Sequence, residues 1–170
     1  TRAYLEESIA NLEGAVDTVA CSSGMAAISL VLELFSSGDH LICSNDLYGG
    51  STRLFTLQQN KGLKFSYVDT TNLKSFKQYI RPQTKAVFIE TPSNPTMQIS
   101  DLKKISALCQ AHKLLLIVDN TFLSPYFQNP LLLGADIVIH SATKFLSGHN
   151  DIIAGSISTG DHKLARGIRE

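Results

Sequence analysis

Residues 134–151 read GADIVIHSATKFLSGHND, and their interpretation decides the fold. The run Ile137-Val138-Ile139 is apolar without alternation, the pattern of a short strand covered on both faces. It gives way to His140, Ser141, Ala142 and Thr143, and then to a single lysine, Lys144. A lysine just past a core strand, preceded by two hydroxyls, is either a solvated strand terminus or a nucleophile held in a pocket. Residues elsewhere in the chain have to choose between the two.

Outward from this stretch, apolar runs and helical patterns alternate along most of the chain. Leu5, Ile9 and Leu12 are spaced for a helix that Gly14 stops. A strand over 16–23 leads into a strongly apolar helix from Gly24 to about residue 35. Strand 40–44, helix 49–62 and strand 63–69 follow. Helix 72–80 is cut off before Pro82, and strand 85–91 comes next. Helix 100–113, with Ser100 as its N-cap, is followed by strands 114–120, 135–141 and 155–160. Uniformly apolar strands separated by helices predict an α/β fold, a mostly parallel sheet with helices on both faces. No repeat, low-complexity segment or linker divides it, so residues 1–170 read as one continuous unit.

Composition narrows the function classes. The 170 residues are 44% hydrophobic and 18% charged, with a formal net charge of zero. That balance gives no reason to expect nucleic acid or an anionic membrane surface as a partner. No apolar run approaches the roughly 18 residues that span a bilayer, and the first residues carry no signal-peptide pattern. The three cysteines, Cys21, Cys43 and Cys109, are scattered and lack Cys-x-x-Cys spacing, so neither a disulfide framework nor a zinc site is expected. A reducing, cytoplasmic setting fits. The five histidines are isolated from one another, and no metal site is expected.

In open α/β sheets ligands bind beyond the carboxyl ends of the strands. Five such ends carry chemistry. Ser22-Ser23-Gly24-Met25 opens a helix, where exposed amides and the helix dipole attract an anion; a plain N-cap is the alternative. Tyr48 precedes two glycines and can stack on a flat ligand, or be an ordinary turn residue. Asn94 lies in the proline-stiffened loop TPSNPT, where the Asn94-Pro95 bond is open to a cis form. Asp119 ends a fully apolar strand and needs a partner for its charge. Lys144, if desolvated, becomes a neutral amine able to attack a carbonyl. Neither a Gly-x-Gly-x-x-Gly nor a P-loop signature is present. Taken together, an anion cradle, an aromatic platform, an aimed amide, a buried acid and an amine make the set that pyridoxal 5′-phosphate requires.

On the stretches SSGMAA, DLYGGSTRLF, ETPSNPT, VDNTFLSPYFQNPLLLGAD and HSATKFLSGHND, in this order and spacing, the sequence resembles the Cys/Met-metabolism (transsulfuration) family of pyridoxal-phosphate enzymes. The resemblance is to the cystathionine γ-synthase, β-lyase and γ-lyase type. It implies the large domain of fold type I, which is aspartate aminotransferase-like. Lys144 would form a Schiff base with the cofactor and shuttle protons once displaced. Asp119 would pair with the pyridinium nitrogen, and Asn94 with the ring hydroxyl. Tyr48 would stack on the ring and assist proton transfer. Gly24, Met25, Ser141 and Thr143 would hold the phosphate, and Glu90 stands further out in either a supporting or a purely structural role.

The reaction so implied is C–S bond elimination or γ-replacement on cystathionine or an activated homoserine ester. Tyr48-Gly49-Gly50 lacks the cysteine that methionine γ-lyases tend to carry there, which counts against that subgroup. The family pattern also implies a homo-oligomer, a dimer of dimers. Against that pattern, residues 1–170 correspond to the central part of the cofactor-binding domain. An N-terminal arm reaching a neighbouring subunit and a small C-terminal domain holding the substrate carboxylate lie outside it. Two other readings stand beside this one: a catalytically inactive cofactor-binding fragment, and a non-catalytic nucleotide-binding α/β module.

Overall fold

The computed structural model describes residues 1–170 except the side chain of Ser75. Its centre is a seven-stranded sheet built from β1 (Asp17–Cys21), β2 (His40–Ser44), β3 (Lys64–Val68), β4 (Thr84–Glu90), β5 (Leu115–Asp119), β6 (Ile137–His140) and β7 (Gly155–Thr159). The order across the sheet is β1-β7-β6-β5-β4-β2-β3. Only β7 runs antiparallel, to both of its neighbours. The carboxyl ends of the other six strands therefore share one edge, and the first residue of β7, Gly155, joins them there.

Helices cover both faces, as the apolar runs predict. The helices are α1 (Arg2–Glu13), α2 (Gly24–Leu32), α3 (Gly49–Gln59), α4 (Leu73–Phe76), α5 (Leu102–His112), α6 (Ser124–Phe127) and α7 (His162–Arg169). On one face α2, α3 and α7 pack against Leu41, Phe88, Ile117, Ile139 and Ile157. On the other, α4 and α5 pack against Ile42, Val87, Ile89, Val118 and Val138. Alternating side chains of each central strand thus feed two cores, which is why these strands are apolar without alternation.

Local chemistry fixes the element ends. Gly14 takes the left-handed conformation (φ 66°) that closes α1. The hydroxyl of Ser23 accepts the Ala26 amide at 3.0 Å and starts α2. That helix ends at Leu32, sooner than its apolar pattern suggests, because Leu34 and Phe35 bond back to Val31 and Leu32 in a tightened last turn. The predicted helix 72–80 is only α4 and a following 3₁₀ turn over Lys77–Tyr79, since Pro82 forces the chain out. The cap of α5 is Asp101, whose carboxylate accepts the Lys104 amide at 3.1 Å. Ser100 does not fill that role; its hydroxyl instead pairs with Thr70 at 2.6 Å. Helix α7 was not legible as a helix, yet Arg169 at its end grips both Asp17 carboxylate oxygens at 2.6 Å and so ties it to β1.

At the edge opposite the strand ends, His40 is buried at the start of β2. Its ring nitrogens meet Thr84 Oγ1 at 2.8 Å and Ser66 Oγ at 3.0 Å. Burial, then the charges of Arg81 and Lys64, holds its pKa below the usual value. The unfolded chain therefore takes up a proton that the folded chain refuses. Stability is present in full above about pH 6.5 and declines as pH falls from there toward the folded-state pKa. Urea denaturation at pH 7 and pH 5.5 should show that decline, and His40→Gln should flatten it.

Candidate active site

Two strand ends and a helix start converge at the β1 side of the carboxyl edge. Glycine at position 24 lets the α2 N-terminus lie against Ser141: a β-carbon there would stand 2.7 Å from the Ser141 β-carbon. The Gly24 and Met25 amides precede the first helical hydrogen bonds, which begin with Ala26 and Ala27 onto Ser23. Gly155 closes the floor, since a β-carbon on it would stand 2.8 Å from the Gly24 nitrogen and closer still to the Ser23 carbonyl. The result is a cradle of free amides and the Ser141 hydroxyl at the positive end of a helix, a donor set suited to a phosphate.

The Ser141–Gly148 turn carries the lysine. Lys144 donates its amide to the Ser141 carbonyl at 3.0 Å, and its own carbonyl accepts from Gly148 at 2.9 Å. The side chain is exposed, so the pocket expected around it is not formed by this chain's own residues. Thr143 is half-buried, and its hydroxyl donates to the Ala154 carbonyl at 3.1 Å while accepting the Ala154 amide at 3.0 Å. Its proton is engaged in pinning the turn to the start of β7, so the free donors of the cradle are those of Gly24, Met25 and Ser141.

Asp119 lies between these residues and the aromatic side. It is 8% exposed, and its Oδ1 accepts both the amide and the hydroxyl of Thr121, at 3.0 and 2.5 Å. Thr121 Oγ1 also accepts the Ser141 amide at 2.8 Å, which links the acid to the cradle. Burial pushes the Asp119 pKa up, against the Thr121 donors and the nearby His140. His140 is itself buried and bonded to Glu13 of α1 through Nε2 and Oε1.

On the far side, Tyr48 caps α3 and is 48% exposed, its ring lying over Gly50, where a β-carbon would strike it. The same β-carbon would come within 3.0 Å of Met25 Sδ, so the Tyr48 turn folds back toward the cradle. The Tyr48 amide donates to Glu90 Oε2 at 2.7 Å. Asn94 is half-buried in a loop whose Thr91-Pro92 and Asn94-Pro95 bonds are both cis. Asp46 ties that loop to the Tyr48 turn by accepting from the Ser93 and Thr96 hydroxyls and from the Thr96 amide. Those donors hold its carboxyl below the usual range. Asp46, Thr121, Gly155 and the Glu13–His140 pair were not singled out from sequence. The DLYGG stretch did contain an acid two residues before the tyrosine, but nothing local said what it would hold.

Every expected site residue thus stands on one edge of the sheet. The sequence profile of Cys/Met metabolism PLP-dependent enzymes matches residues 1–170, the whole chain. The chain belongs to that family. A cystathionine beta-lyase of Lactococcus lactis subsp. cremoris is 51% identical over 166 residues, 97% of this chain and 44% of its own. A cystathionine gamma-synthase/O-acetylhomoserine (thiol)-lyase of Bacillus subtilis is 54% identical over 165 residues, 96% of this chain and 44% of its own. The crystal structure of cystathionine gamma-lyase from Lactobacillus plantarum complexed with L-serine superposes with a TM-score of 0.97 and 48% identity, covering 98% of this chain and 44% of that one. The chain therefore spans less than half the length of these relatives. The sheet with helices on both faces is the fold type I large domain expected of the family. Among the described residues, no helix is long and apolar enough to cross a membrane, and no cluster of histidine, cysteine and acidic side chains is arranged to hold a metal.

Proposed function

We propose that this chain is the pyridoxal-phosphate-holding portion of a transsulfuration enzyme, and that these 170 residues bind the cofactor without turning substrate over by themselves. The observation that carries the reading is the cradle of Gly24, Met25 and Ser141, coupled through Thr121 to the buried acid Asp119. When bound, pyridoxal phosphate supplies an electrophilic carbonyl and an electron-withdrawing ring. Gly24, Met25 and Ser141 bind the phosphate, with Thr143 joining them when its bond to Ala154 opens. Asp119 holds a proton-bearing ring nitrogen, Asn94 orients the ring, and Tyr48 covers its face. Lys144 Nζ would hold the cofactor through its carbonyl carbon and, once a substrate amine had displaced it there, would be the base for the substrate's α-proton. In the whole protein these groups would serve C–S elimination or γ-replacement on a sulfur amino acid or a homoserine ester, in keeping with the cystathionine lyases and synthases that the chain resembles.

The exposure of Lys144 and Tyr48 favours binding without turnover in this stretch alone, because water then competes for both groups. The same reading places further residues of the whole protein over that opening, and a second copy against the exposed apolar side chains of α6, Tyr126 and Phe127, in a dimer of dimers. Its three free thiols, two of them buried, suit a cytoplasmic setting. The test is to gel-filter the 170-residue chain with pyridoxal phosphate and then supply cystathionine. Retention of cofactor without release of thiol or oxo acid is expected. Release of either product would overturn the claim of inactivity, and loss of the cofactor during filtration would overturn binding.

A further inference from the structure

Glu90 ends β4 directly opposite Asp119 at the end of β5 in the parallel register. Paired residues of neighbouring parallel strands point to the same face, and the strands lie about 4.8 Å apart. Two buried carboxyls at that spacing cannot both ionise cheaply. Their surroundings divide the roles. Asp119 has two donors from Thr121 and the ring of His140 nearby. Glu90, 4% exposed, has one donor, the Tyr48 amide, while its own amide donates to Ser44 Oγ. The charges around it are Asp119 on β5 and Asp46 in the β2–α3 turn, both acidic. Burial first, and then those two neighbours, pushes its pKa up to about 8.

We propose that Glu90 is a positioning residue that works as a neutral acid, fixing the Tyr48 turn through its carbonyl oxygen while leaving the negative charge of the site to Asp119. The assignment rests on the pyridoxal-phosphate reading for its purpose, but its geometry is independent of any ligand. A neutral carboxyl accepts from the Tyr48 amide as an uncharged side-chain amide does, so glutamine should replace it and alanine should not.

The sign of the linkage follows. The unfolded chain releases this proton near pH 4.5 and the folded chain keeps it to about pH 8, so the residue destabilises the fold progressively as pH rises between those values. Glu90→Gln removes that loss. The thermal midpoints of wild type and Glu90→Gln, both without cofactor, should separate in favour of the variant from pH 5 to pH 8 and run parallel above it. At pH 7, Glu90→Gln should bind pyridoxal phosphate within about twofold of wild type. Glu90→Ala, which orphans the Tyr48 amide, should bind roughly tenfold or more weakly.

A glutamine variant as weak in binding as the alanine variant would overturn the neutral-acid role. So would midpoints that stay parallel from pH 5 to pH 8. If the wild type binds no pyridoxal phosphate, the functional reading fails, while the midpoint comparison still decides the state of Glu90. Should Glu90→Ala not fold, the glutamine comparison is sufficient.

Discussion

Replacing Lys144 by alanine is expected to abolish covalent capture of pyridoxal 5′-phosphate while leaving the fold intact. The side chain is exposed, and its turn is held by backbone bonds of Ser141, Lys144 and Gly148 that alanine keeps. No buried contact is lost, so a stability change within about 0.5 kcal/mol is expected, as for surface substitutions generally. Borohydride treatment of the wild-type chain with the cofactor should add its mass to the peptide containing Lys144, and the variant should show no addition there. If a longer enzyme uses Lys144 as proposed, loss of its proton transfer alone should lower turnover by about 10²–10⁴-fold. Capture at other lysines in the variant, at wild-type yield, would show that the amine is not singled out by the site.

Gly155→Ala attacks the same site from beneath. The added carbon meets backbone, the Gly24 nitrogen at 2.8 Å and the Ser23 carbonyl closer still, so no rotamer change can relieve it. Either β7 shifts away from β1 or the N-terminus of α2 is displaced. Overpacking of this kind costs about 1–3 kcal/mol, and the upper part of that range is expected where only backbone can yield. Urea denaturation should show the loss. Cofactor affinity should fall with it, because the displaced residues are the amide donors of the cradle. A variant as stable as wild type, with unchanged affinity, would mean that the close approach of the two segments is not required.

How much was legible in sequence follows from the range of the interactions. Strand β2 coincides with the stretch HLICS because turn residues punctuate both of its ends. The strand-end residues were legible too, since a parallel sheet gathers them on one edge once the strands are recognised. Helix α7 was not, because it is short, rich in basic residues and contains Gly167. The bond between Tyr48 and Glu90 spans 42 positions, and that between Asp46 and Thr96 spans 50. Such pairs have no local pattern to betray them. The exposure of Lys144 was equally hidden, because burial belongs to what the rest of the molecule places over a turn.

The reversed strand β7 also fixes when the cradle can exist. Its partner β1 comes from the opposite end of the chain; Thr18 and Ser158, whose hydroxyls meet across this seam at 2.7 Å, are 140 residues apart. Strand pairing at such separation is slow, and during synthesis β1 must wait unpaired until β7 has left the ribosome. The anion cradle thus cannot close until both of these distant segments are available to pair. A phosphate bound there would report that these two segments, 140 residues apart, have already paired.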